Sequence, residues 1–112
     1  MNASDERRSR RVDFERVNAA ALAAADSVVP GLLPGGRREG AEWVALNPSR
    51  ADRRPGSLKV NLASGRWADF ATDDRGGDPV SLAALVAGVG QREAAIRLAE
   101  SLAVDPFEGG RP

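Results

Sequence analysis

The residues best suited to chemistry are a run of cations flanked by aromatics: Arg50, Arg53, Arg54, Lys59 and Arg66, followed at once by Trp67 and preceded by Trp43. Guanidinium and ammonium groups spaced along a short stretch can follow a phosphate backbone. An indole can stack on a base, and together these make a sequence-tolerant grip on single strands. The competing account places both Trp in the core and leaves the Arg as a solvated face. The net charge of the 112 residues is zero, but its distribution is uneven. Residues 37–66 hold seven basic against three acidic side chains, and residues 67–112 hold eight acidic against four basic, so any phosphate-attracting face belongs to the middle of the chain.

Acidic residues follow that block at Asp69, Asp73, Asp74 and Asp78. Carboxylates bind hard cations, but their spacing matches no calcium loop. Asp73-Asp74-Arg75-Gly76-Gly77 has the composition of a turn, and Asp78 before Pro79 reads as a helix cap. With no Cys and no His, disulfides, thiol nucleophiles, Ser-His triads and ordinary zinc sites are excluded. No carboxylate constellation suits a polymerase, so the chain is expected to be non-catalytic, with no cofactor and no metal.

The elements that would position these residues can be read from periodicity. Residues 1–11 are expected to form a flexible arm, 12–104 a single domain, and 105–112 a linker-like tail. Asp13 is a plausible N-cap, and Phe14, Val17, Ala21, Ala24 and Val28 put an apolar stripe on a helix of about four turns that ends at Pro30-Gly31. Residues 31–40 read as a loop with at most a short strand. Three alternating runs, 42–46, 57–62 and 66–70, predict an antiparallel meander, with Ala63-Ser64-Gly65 as a hairpin turn. A helix from Asp78-Pro79 buries Leu82, Leu85, Val86 and Val89, and a second, 91–102, buries Ala95, Leu98, Ala99 and Leu102. The expected fold is α+β: a small antiparallel three-stranded sheet with an N-terminal helix and a C-terminal helix pair covering one face. The 42% hydrophobic and 29% charged composition suits a domain that folds in water, and no apolar run could cross a bilayer, so the expected compartment is the cytoplasm.

Asn47-Pro48-Ser49-Arg50, Pro55-Gly56-Ser57, the run 67–72 (Trp-Ala-Asp-Phe-Ala-Thr), Gly76-Gly77-Asp78 and the closing Glu93-Ala94 and Leu98-Ala99 occur in an order that resembles the zinc-ribbon domain of bacterial and phage DNA primases. The likeness covers residues 42–104. It implies a zinc-ribbon-like sheet contacting single-stranded template DNA through Arg50, Arg53, Arg54, Lys59, Arg66 and Trp67. The partner would be a primase, helicase or polymerase subunit or domain of a phage, plasmid or integrative element. The family's metal ligands fall here on Asn47, Arg50, Asp69 and Thr72, a set unable to hold zinc. An Arg50–Asp69 pair, with hydrogen bonds from Asn47 and Thr72, would tie the former ligand turns together; ordinary turn residues are the alternative. Two further readings stand beside template binding: a module that docks replication proteins without touching DNA, and a duplex-binding helix-turn-helix at Gly88-Val89-Gly90 with Gln91 and Arg92 facing bases.

Overall fold

The computed structural model describes residues 10–48 and 57–109. Among these the order is α1 (Phe14–Ala23), α2 (Ala25–Leu32), β1 (Arg37–Glu39), β2 (Glu42–Ala45), β3 (Leu58–Asn61), β4 (Trp67–Asp69), β5 (Arg75–Gly76), α3 (Pro79–Ala87) and α4 (Gln91–Leu102). The α+β class holds, with five strands in place of three. All pair antiparallel in the order β1-β2-β3-β4-β5, so each connection joins neighbours.

The expected N-terminal helix is two helices. Asp13 caps the first through a 3.0 Å bond from the Arg16 N–H. The helix stops at Ala24, whose backbone leaves helical values (φ −112°, ψ 25°). The buried positions explain the break. Val17, Ala21, Ala25, Val29 and Leu33 recur every four residues, and on a 3.6-residue turn such a stripe drifts by about 40° per step. Val17 and Ala21 serve a cluster with α3 and α4, whereas Ala25, Val29 and Leu33 serve the sheet. Pro30 does not end α2. It lies inside it, and the Leu33 N–H closes the final turn on the Val29 carbonyl at 2.9 Å.

β3 and β4 alternate as expected, whereas in β2 the neighbours Val44 and Ala45 are both buried. Leu58 and Val60 are fully buried, and with Ala45, Trp67, Ala25, Val29 and Leu82 they join the sheet to α2 and α3. Asn61 shapes the β3–β4 hairpin by accepting bonds from the N–H groups of Ala63 and Ser64, and Gly65 takes the left-handed conformation (φ +78°) that the turn requires. The second cluster is built on small residues: Ala21, Ala83, Ala94, Ala95 and Ala99 let α1, α3 and α4 pack closely. Asp78 caps α3 through the Ser81 N–H at 2.8 Å, and Gly88 closes it in the left-handed conformation.

The expected linker, as far as it is described, is part of the fold. Val12 and Phe107 form an antiparallel bridge, the Asp13 N–H donates to the Pro106 carbonyl, and the Glu108 N–H donates to the Arg11 carbonyl, both at 2.8 Å. The Arg16 guanidinium donates to the carbonyls of Asp105 and Phe107. Phe107 itself is only 6% exposed, between the guanidinium groups of Arg10 and Arg92 at 4.9 and 5.8 Å from its ring centre. The tail stays because its aromatic has a core to enter. No helix among the described residues is long and apolar enough to cross a membrane.

Candidate nucleic-acid interface

Strand register sorts the side chains onto two faces, since directly opposed residues of antiparallel strands project the same way. The row Arg38, Trp43, Val60, Trp67, Gly76 and the row Ala45, Leu58, Asp69 belong to the face packed on the helices. The row Arg37, Val44, Lys59, Ala68, Arg75 crosses all five strands on the other face. None of that second row belongs to either core cluster, although Val44 is buried at 5% exposure while Lys59 and Ala68 are half-buried and Arg37 and Arg75 exposed. Of the residues expected to contact DNA, this outer face carries Lys59 and Arg66.

Lys59 lies at its centre and Arg66 beside it, opposite Asn61, whose N–H donates to the Arg66 carbonyl at 2.7 Å. Arg50, Arg53 and Arg54 lie outside the described residues. Trp67 does not stand on this face. It is 7% exposed, and its indole N–H donates to the Ser81 hydroxyl at 2.9 Å, so its ring is committed to the core and offers no surface for stacking. Trp43 likewise turns inward and donates to the Leu33 carbonyl at 2.9 Å.

The aromatic that the face does present is Phe70, which the sequence does not single out. Its N–H bonds to the Ser57 carbonyl at 2.9 Å, continuing the β3–β4 ladder, and its ring is 71% exposed. The Lys59 ammonium sits 5.7 Å from the ring centre. Leu46, 42% exposed, extends the alternation of β2 at the same end. An exposed phenylalanine at the end of a sheet runs against the expected inward burial, and that mismatch is the signal that marks it. Further along the face the charges are mixed. Arg37 is paired with Glu39 at 2.7 Å, while among the described residues Lys59, Arg66 and Arg75 make no ion pair.

Behind this end of the sheet lie two of the positions that the primase likeness assigns to metal ligands. Asn47 and Asp69 are each 1% exposed, and the Asn47 side-chain amide donates to an Asp69 carboxylate oxygen at 2.7 Å. The other oxygen accepts from the Ala71 N–H at 2.8 Å. Thr72 is not part of this contact: it is exposed, and its hydroxyl donates to Asp74 at 3.0 Å. An amide N–H turned onto a carboxylate is a hydrogen-bonded tie between two turns, and this donor set does not fit zinc. Among the described residues no three acidic side chains gather to hold a cation.

The helix pair α3–α4 is occupied in the fold. Val80, Leu82 and Ala83 are buried, and the Arg92 guanidinium donates to the Arg10 carbonyl at 2.8 Å while flanking Phe107. Gln91 alone of the two expected base-reading residues is exposed. Set against known proteins, the chain matches no family model, no curated protein and no solved structure.

Proposed function

We propose that the outer sheet face binds single-stranded DNA, and that the protein serves as a non-catalytic template-binding module of a primase or primase-helicase system of a phage, plasmid or integrative element. The observation that carries the reading is Phe70, 71% exposed at one end of the outer sheet face, with Lys59 against its ring and Arg66 and Arg75 on the same face. An exposed ring takes a base by stacking while neighbouring cations take the phosphates, without choosing sequence. The sequence between Pro48 and Ser57 is itself basic, with Arg50, Arg53 and Arg54 against Asp52. The replication setting rests on the order of the primase-like motifs.

Fluorescence anisotropy with a labelled oligo-dT across a salt series tests the reading. Stacking of one base is worth about 1–3 kcal/mol, so Phe70→Ala should weaken binding by roughly five- to 150-fold. Absence of binding by the wild-type protein at low salt would end the DNA reading and favour protein docking. The docking reading has its own support in an apolar groove of about 400 Å³ between α2 and α4, lined by Val28, Gly31, Leu32, Leu98 and Leu102 with Ser27 and Ser101. A preference for duplex would favour the helix pair.

A further inference from the structure

At the β5 edge the sheet carries a groove of about 490 Å³, lined by Arg66, Trp67, Ala68, Arg75, Gly76 and Gly77. Gly76 packs on the Trp67 indole and the Ser81 hydroxyl: a Cβ there would stand 2.4 Å from each, so only glycine lets the backbone lie so close. At Gly77 a Cβ would meet nothing within 4 Å, so the backbone there faces open space.

Arg66 and Arg75 are exposed, and among the described residues neither guanidinium has an ion pair. Of the neighbouring carboxylates, Asp74 accepts from the Thr72 hydroxyl at 3.0 Å, Asp78 accepts from the Ser81 N–H at 2.8 Å, and Asp73 is exposed; among the described residues none is ion-paired with either guanidinium. The edge also supplies a backbone donor. The 2.8 Å bond from the Asp69 N–H to the Asp74 carbonyl marks a hydrogen-bonded pair, so the next pair along, Ala68 and Arg75, is non-hydrogen-bonded, and the Arg75 N–H points away from β4. Two free guanidinium groups, an outward N–H and a side-chain-free stretch of backbone form a concave site for a tetrahedral anion.

We infer that this groove holds one phosphodiester of the bound strand, gripped by Arg66 and Arg75, so that the DNA backbone runs from the Phe70 end of the outer face, across Ala68, to the β5 edge. This rests on the single-strand reading and adds the course of the strand. It also divides the work: Phe70 supplies stacking, which salt leaves alone, and the groove supplies counterion release.

The test compares the salt dependence of oligo-dT binding for the full wild-type chain, Arg66→Gln/Arg75→Gln and Phe70→Ala. Removing two cations from the phosphates of a single strand should lower the slope of log K against log salt by about 1.4, at about 0.7 for each phosphate neutralised. Phe70→Ala should lose affinity with its slope intact. A wild-type chain that binds DNA, with an unchanged slope in the double glutamine variant, would overturn the groove assignment and leave the single-strand reading standing. A wild-type chain that binds no oligo-dT would overturn both. As a measurement free of substitutions, amide NMR shifts at Arg75, Gly76 and Gly77 should move when oligo-dT is added to the wild-type protein, and unmoved shifts at saturating oligo-dT would also overturn the assignment. Equal shifts with inorganic pyrophosphate and displacement of DNA by it would assign the groove to free phosphates instead.

Discussion

Replacing Phe107 with alanine tests whether the C-terminal segment is a working part of the domain. The ring is 6% exposed. Roughly 180 Å² of apolar surface, at about 25 cal/mol per Å², gives a burial contribution of about 4 kcal/mol, of which the remaining Cβ retains a part. The flanking Arg10 and Arg92 guanidinium groups, 4.9 and 5.8 Å from the ring centre, add a further contribution, on the order of 0.5 kcal/mol each at a surface position. A loss of about 3–4 kcal/mol results, within the usual range for a buried phenylalanine. For a domain of this size that lowers Tm by roughly 12–30 °C, at about 4–8 °C per kcal/mol. Urea denaturation followed by circular dichroism measures it. Phe107→Leu separates the two contributions, since it keeps most of the apolar area and should lose only about 1 kcal/mol. A change below about 1 kcal/mol in Phe107→Ala would refute the reasoning and return residues 105–109 to the status of a tail.

Asn47→Ala removes a 2.7 Å bond to a buried carboxylate and should cost about 1.5–3 kcal/mol in urea unfolding. A double-mutant cycle with Asp69→Ala should show coupling, and additive losses would mean that the two turns are not tied there. Gly76→Ala places a Cβ 2.4 Å from Trp67 Nε1 and Ser81 Oγ, so thermal melts should show a loss of about 1–3 kcal/mol; Gly77→Ala, with open space at its Cβ, serves as the control.

The fold was legible where side-chain burial alternates strictly. Leu58, Val60 and Leu62 announce β3, and Asp78-Pro79 announces α3, because their chemistry is local. The edge strands were hidden for the opposite reason. Arg37-Arg38-Glu39 is wholly exposed and Arg75-Gly76 is two residues long, so neither carries an apolar pattern, and each is a strand only because a neighbour offers a ladder. The break at Ala24 has no Gly or Pro to mark it and follows from two separate cores pulling on one stripe. Among the expected site residues, Lys59 and Arg66 stand on the outer face, whereas its exposed aromatic, Phe70, was not among them. Trp67 and Phe70 sit three apart, on opposite faces of the sheet, and nothing in residue type alone shows that the larger ring turns inward. Phe107, a lone aromatic among Asp, Pro and Gly, was a signal that its surroundings disguised.

The alanine-built interface among α1, α3 and α4 has a bearing on how this protein can change over generations. Single-nucleotide changes at an alanine codon give Val, Thr, Ser, Pro, Gly, Asp or Glu. At Ala21, Ala95 and Ala99, each fully buried, these overfill the space, break the helix, loosen it or bring in an unpartnered polar group. Substitution is therefore constrained in the helical half and comparatively free at the exposed positions of the outer sheet face, such as Arg37, Arg66, Phe70 and Arg75. Change in the sequence can accumulate at the exposed strand positions, while the helices preserve the shape of the domain.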